Sequence, residues 1–285
     1  MTQTDDLHAS IAASIHHDAT GPSVAQFHAH LLRSAYQPTY RLDSNQMTIA
    51  GSRALVRPAR AGRPSVPVRL FDRLGPADRL RLECLCRALH VANLPHLELP
   101  TGSLSMRIDA TGGSDDVETA LVLLRRAVTK LEDEGRHPPL ISCELACTKE
   151  EASRERADIL RRHGFRVALR DFGPDIAGVE IARAVQPDYV RVDGNWFRPI
   201  TRMPDVLKLF ASVISVLHAD GIEVLADGIE TPAELEAALE TGADLFQGFL
   251  FSPPVLAGAK FIERPLGLPQ LLHPRARIIP LRRPA

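Results

Sequence analysis

The chain is short of cysteine and of net charge, and each shortage removes a class of protein. Its four cysteines, Cys84, Cys86, Cys143 and Cys147, form a C-x-C and a C-x3-C pair far apart in the sequence. Neither pair has zinc-finger spacing, so buried free thiols are expected. Lysine and arginine number 34 against 35 acids, a formal net charge of -1, which gives no electrostatic case for nucleic acid or an anionic membrane. No apolar run approaches the roughly 20 residues that span a bilayer. The opening Met1-Thr2-Gln3-Thr4-Asp5-Asp6 has neither the basic nor the apolar region of a signal peptide, so a cytoplasmic location is expected. His16-His17 and His28 with His30 have no acids or cysteines near them in sequence and read as surface residues. What remains is a hydrophobic fraction of 45% and a charged fraction of 24%, the balance of a globular protein with a sizeable core. At this length one large barrel and two smaller domains are both open.

The stretch from Phe165 to Pro254 repeats one motif, a short apolar run ending in charge and then a helix, a spacing that fits a barrel and also an ordinary α/β domain with salt bridges at its strand ends. Arg166-Val167-Ala168-Leu169 runs into Arg170-Asp171-Phe172-Gly173, and Asp188-Tyr189-Val190 into Arg191-Val192-Asp193. Ile222 to Ala226 runs into Asp227-Gly228-Ile229-Glu230, and Asp244-Leu245-Phe246 into Gln247-Gly248. Such alternation predicts βαβ units, and polar residues at the carboxyl ends of successive parallel strands share the rim where (β/α) barrels build their sites. Thr231-Pro232-Ala233-Glu234 and Thr148-Lys149-Glu150-Glu151 both read as capping boxes, with Gly242 and Gly164 ending their helices. Between Pro204 and Ala219 the set Val206, Leu207, Phe210, Val213, Ile214 and Leu217 makes one helical face.

Upstream, Asp5 to Arg33 reads as one or two helices broken near Gly21-Pro22, a helical leader over 1–33. Tyr36 to Tyr40, a turn at Asp43-Ser44-Asn45 and a second run through Arg57 predict a hairpin. Pro58 to Pro67 reads as a polar loop over the rim. Asp78 to Val91 predicts an amphipathic helix, and Leu104 to Asp109 and Leu140 to Glu144 predict strands, each ending in charge. Between them Gly112-Gly113 turns the chain, and Ser114 starts a helix that Gly135 ends. The barrel is assigned to 34–262, and 263–285 is assigned as a Pro/Arg-rich tail.

In order and spacing these strand ends resemble the EAL family of cyclic di-GMP phosphodiesterases. Tyr36-Gln37-Pro38-Thr39-Tyr40 is similar to its opening strand, and Arg53-Ala54-Leu55-Val56-Arg57 stands in the place of its Glu-Ala-Leu-x-Arg signature. Glu144-Leu145-Ala146-Cys147, Arg170-Asp171-Phe172-Gly173, Arg191-Val192-Asp193, Ala226-Asp227-Gly228-Ile229-Glu230 and Gln247-Gly248-Phe249 match its later motifs. The resemblance implies a (β/α)8 TIM-like barrel of the EAL type, with an antiparallel first strand. It also implies where the family's two divalent ions are held, at positions that here read Arg53, Arg107, Glu144 and Arg170, so only Glu144 keeps a ligand-type side chain. The catalytic lysine position is Arg191, and the position of the general base is shortened to Asp227. One guanidinium about 5 Å from a divalent cation costs roughly 6–7 kcal/mol at an effective dielectric near 20. No catalysis and no Mg or Mn cofactor are therefore expected.

Two non-catalytic readings follow from the resemblance. In one, Gln37, Leu55, Arg57, Asp171, Asp193, Glu230 and Gln247 still bind cyclic di-GMP without metal. In the other, Arg107, Arg170 and Arg191 pair with Glu144, Asp171, Asp193 and Asp227, close the pocket and leave a scaffold for a protein partner. The scaffold is the preferred expectation, the receptor the alternative, and an active phosphodiesterase the second alternative. A homodimer is compatible with either. The loop Gly173-Pro174-Asp175-Ile176-Ala177-Gly178 departs from the family's Gly-Thr-Gly-Tyr-Ser-Ser, with Asp175 expected near the ligand edge. Pro58 to Pro67 and the tail are the candidate partner contacts.

Overall fold

In a computed structural model, residues 3–17, 21–97, 102–109, 113–173, 175–259 and 265–273 are described. The expectations placed on Gly112, Pro174 and residues 274–285 lie outside them. Along the chain come α1 (Gln3–Ser14), β1 (Ile15–His17), β2 (Ser23–Phe27), β3 (His30–Asp43), β4 (Gln46–Arg60), β5 (Arg63–Pro64), α2 (Pro67–Phe71) and α3 (Pro76–Ala92). They are followed by β6 (Ser103–Arg107), α4 (Ser114–Asp133), β7 (Leu140–Ala146), α5 (Glu150–Arg162), β8 (Arg166–Arg170), α6 (Ile176–Val185), β9 (Tyr189–Val192), α7 (Gly194–Ile200) and α8 (Pro204–Ala219). Last are β10 (Glu223–Ala226), α9 (Pro232–Glu240), β11 (Leu245–Phe246), β12 (Val255–Leu256), β13 (Leu266–Gly267) and α10 (Leu268–Leu272).

Strands β4, β6, β7, β8, β9, β10 and β11 pair in parallel, and β3 runs antiparallel to both β11 and β4. The ring is thereby closed with eight strands, a (β/α)8-type barrel whose first strand is antiparallel. Alternation along each strand sends Val167, Leu169, Val190, Val192 and Val224 outward to the helices, where they join the principal core. Ala168, Tyr189, Leu225 and Leu245 fill the interior as a separate layer. Above that layer the inward positions are polar, and they form the mouth.

Three segments differ from the sequence reading. The second half of the 1–33 leader is extended: β2 hydrogen-bonds to His30–Leu32 of β3, and β1 pairs with β2. The burial along Ser23–Phe27 covers both faces, so no alternation marks it as a strand. It is held by long-range polar contacts to the C-cap of α3, where the Ser23 amide donates to Asn93 Oδ1 at 2.7 Å and Asn93 Nδ2 donates to the Ser23 carbonyl at 2.9 Å, while on β3 the Tyr36 hydroxyl donates to the His90 carbonyl of α3 at 2.7 Å. Second, Pro58 to Pro67 is no loop over the rim. β4 continues to Arg60, turns through Ala61-Gly62 and returns as β5; Ala61 at φ 48° and Gly62 at φ 75° supply the left-handed pair that a two-residue hairpin needs. Third, residues 266–272 of the presumed tail dock on the barrel, with Leu266 and Gly267 opposite Met47 and Gln46.

The long β3–β4 hairpin therefore rises beyond the barrel as a ribbon. A second apolar core lies beneath it, with Ile11 of α1, Phe27, Leu32, and Leu82, Leu85 and Leu89 of α3. Cys84, Cys86 and Cys143 are buried free thiols, and burial pushes the Cys86 and Cys143 thiols up to about 12. The capping box at Thr231 forms as expected, whereas α5 is capped by Lys149 without a side-chain bond, so the Thr148 box does not form.

Candidate functional site

The mouth is built by the last inward residue of each parallel strand. Glu144 on β7 and Arg191 on β9 face one another because both stand two residues past an inward-facing position, Ser142 and Tyr189 respectively. Arg191 donates from Nε and Nη2 to Glu144 Oε1, at 3.0 and 2.5 Å. Its Nη1 donates to Asp227 Oδ2 at 2.9 Å and to Gln247 Oε1 at 2.7 Å. Arg53 on β4 closes the square. Its Nη1 reaches Asp227 Oδ2 at 3.2 Å, and its Nη2 lies 3.2 Å from Glu144 Oε2. The Tyr189 hydroxyl donates to Glu144 Oε1 at 3.2 Å.

Two arginines and two carboxylates thus cancel. Glu144 is wholly buried, which alone raises its pKa, but Arg191 and Arg53 outweigh burial and hold the carboxyl down at about 2. Burial likewise opposes the Arg191 charge, and Glu144 and Asp227 reverse that, raising its pKa above the ordinary value. The Tyr189 hydroxyl is pushed up by burial and then by Glu144. Gln247 anchors the square to the antiparallel strand: its Nε2 donates to the Gln37 carbonyl at 3.0 Å and to Thr39 Oγ1 at 3.1 Å. Gly248 follows it because a Cβ there would collide with the Ile229 backbone.

A second balanced group stands beside the first. Arg170 on β8 donates to Asp171 and to Asp109, and Arg107 Nη2 donates to Asp109 Oδ1 at 3.3 Å. Asp171 adopts left-handed backbone at φ 56°, which turns its carboxylate back over Arg170. Arg87, buried on α3, donates to the Arg107 carbonyl at 3.2 Å and ties this rim to the second core.

The arrangement departs from the single cluster expected from sequence. Arg53, not Arg107, pairs with Glu144 and Asp227, while Arg107 is half exposed and reaches only Asp109 among the described carboxylates. Asp193 joins neither group, because it caps α7 by accepting from the Asn195 amide at 2.7 Å. Asp175 caps α6 through the Gly178 amide at 2.8 Å. Glu230 is paired with Arg198 at 2.8 Å. Gln37 is buried and donates to the Ser252 carbonyl at 3.2 Å, and Leu55 sits opposite Ala35 in the ribbon. Arg57 is half-buried, its guanidinium donates to the Val56 carbonyl at 3.2 Å, and its pKa is lowered by burial. Asp109 and Tyr189 were absent from the sequence-derived site, though a signal existed for each: Asp109 is the terminal carboxylate of its strand, and Tyr189 is two residues before Arg191. Among the described residues no group of three or more His, Cys, Asp or Glu side chains is placed to hold a metal ion, and no helix is long and apolar enough to cross a membrane.

A family model described as the EAL domain matches residues 23–254. The cyclic di-GMP phosphodiesterase PdeL of Escherichia coli is 28% identical over 106 residues, 37% of this chain and 29% of that protein. NbdA of Pseudomonas aeruginosa, also named a cyclic di-GMP phosphodiesterase, is 24% identical over 169 residues, 59% of this chain and 21% of that protein. The chain thus spans well under two thirds of the length of these curated relatives. Among solved structures, BlrP1 of Klebsiella pneumoniae in a calcium and cyclic di-GMP complex has a TM-score of 0.63 at 26% identity, covering 80% of this chain and 57% of that one. A standalone EAL protein from Vibrio cholerae in a cyclic di-GMP-bound form has a TM-score of 0.63 at 22% identity, covering 81% and 94%. The latter is a likeness of fold.

Proposed function

The chain belongs to the EAL domain family, and we propose that within it this protein is a non-hydrolysing regulator in cyclic di-GMP-linked signalling that acts by protein contact. The observation that carries this reading is the closed square of Arg53, Glu144, Arg191 and Asp227. Both carboxylates that remain in the mouth are already neutralised by guanidiniums at hydrogen-bond distance. A divalent ion entering there must displace them and then sit a few ångströms from two fixed positive charges, at a cost of roughly 6–7 kcal/mol for each at about 5 Å. Its hard oxygen ligands would be the same two carboxylates. The residues present do not fit a metal pair.

A second reading keeps cyclic di-GMP as a ligand bound without metal. It rests on Arg57, which makes no ion pair among the described residues and stands on the ribbon face next to the mouth. Guanidinium groups bind phosphate well. The relatives whose names include cyclic di-GMP support the same class of ligand.

The test is incubation of the purified chain with cyclic di-GMP and Mn, followed by chromatography for linear dinucleotide, alongside calorimetric titration in EDTA. No turnover and no heat is the outcome expected of the contact reading. Heat that disappears in Arg57→Ala selects the receptor. Turnover removes both.

A further inference from the structure

The ribbon above the barrel carries an unusual charge arrangement. From Ser23 to Phe71 there are seven arginines and one acid, Asp43, in a chain whose formal net charge is -1. Asp43 sits in the turn at the far, lower end of the hairpin, so it cannot screen the upper part. The register there sets cations directly against one another. Arg33 lies opposite Arg57, and across the two-residue turn Arg60 lies opposite Arg63. Like charges in directly opposed positions destabilise a sheet, yet Arg60 and Arg63 make no ion pair among the described residues and both are exposed. The hairpin keeps its pairing in spite of that cost because its other residues, Leu32 and Val56 among them, are packed on the second core. Immediately after the turn, Val66 and Val68 are exposed by 54% and 60%.

We infer that the ribbon tip, Arg60 and Arg63 with Val66 and Val68, is a docking surface for an acidic segment of a protein partner that carries aliphatic side chains among its carboxylates. The inference rests on the reading that this chain works by protein contact, and it supplies the chemistry of that contact. Carboxylates placed between Arg60 and Arg63 relieve the opposed charges with bidentate geometry. The two valines favour one partner class: a nucleic acid has no aliphatic side chains interleaved with its charges to pack on them, whereas an acidic peptide with aliphatic residues does. Arg60 and Arg63 lie three and six residues past Arg57, beyond the positions that the family resemblance assigns to cyclic di-GMP.

The test uses the full chain and three labelled probes of equal charge: a peptide of alternating glutamate and valine, a glutamate-only peptide, and a single-stranded oligonucleotide. Fluorescence anisotropy at low and physiological salt should show the glutamate-valine peptide binding tightest. Arg60→Glu with Arg63→Glu should weaken it about tenfold or more, and Val66→Ser with Val68→Ser about threefold. If circular dichroism shows the double reversal to be unfolded, Arg60→Gln with Arg63→Gln replaces it. No saturable binding, an oligonucleotide bound as tightly as the peptide, glutamate alone bound as tightly, or affinity unmoved by the arginine variants would each overturn the inference. Cyclic di-GMP turnover is measured on the same preparation. Turnover with peptide binding retained removes the non-hydrolysing reading and leaves the surface standing; absent binding without turnover removes the surface alone.

Discussion

Two arginine-rich regions of this molecule use the same side chain to opposite ends. In the mouth, Arg53, Arg170 and Arg191 each meet carboxylates, and the guanidiniums are buried or nearly so. In the ribbon, some of the same residue type face one another and stay in solvent. A buried charge must be matched, because the interior cannot screen it; an exposed one need not be, because water and salt do the screening. The first arrangement neutralises its charges within the mouth. The second leaves Arg60 and Arg63 exposed at the ribbon tip.

That contrast can be broken most forcefully at Arg191. Arg191→Met leaves the buried Glu144 and Asp227 with Arg53 as their one remaining shared counter-charge among the described residues, and a loss of about 3–5 kcal/mol is expected by urea denaturation. A loss under about 1 kcal/mol would show that these carboxylates are solvated and that the mouth is no different from the surface. Next in size is the acid limb of stability. Glu144 has a folded pKa near 2 against a reference of 4.5, so the unfolded chain takes up its proton first as pH falls. The stabilisation is present above pH 4.5 and is lost as pH falls toward 2, in total about 3 kcal/mol. Thermal melts of wild type and Glu144→Gln across this window should diverge above it and converge toward its lower end.

His90 contributes in a different window. Burial lowers its pKa from 6.5 to about 3, so the unfolded chain again protonates first, and stability begins to fall below pH 6.5 rather than below 4.5. Wild type should therefore lose stability in two stages on acidification, and Glu144→Gln should keep only the upper one. The smallest effect belongs to the ribbon. Arg63→Glu turns an opposed like pair into an attractive one and should raise stability by about 0.2–1 kcal/mol. A melting temperature that falls instead would mean that Arg63 already has a favourable partner and that the ribbon, like the mouth, pairs its charges.

Much of the barrel could be read in one dimension because its signals are local. An apolar run closed by charge, a Pro at the first helical position and a Gly past the last turn each depend on neighbours within a few residues. Thr231 illustrates the success: its box with Glu234 needs nothing beyond the helix itself. Thr148 shows the limit, since the same pattern begins its helix one residue later and makes no side-chain cap. Ser23 to Phe27 shows a harder limit. Its strand exists because β3 and Asn93, some 70 residues away in the case of Asn93, supply its partners.

The order of motifs was enough to say that the chain is an EAL barrel and that arginine stands at motif positions 53, 170 and 191. Which arginine meets which acid was not in that order. Arg53 reaches across the barrel to Glu144 and Asp227, Arg107 stays with Asp109, and Asp193 turns to its own helix. Those choices depend on barrel closure, on register between strands far apart in sequence, and on how each side chain is oriented at the rim. Motif spacing states which charges are present; only the folded geometry states which are neutralised and which remain open to another molecule.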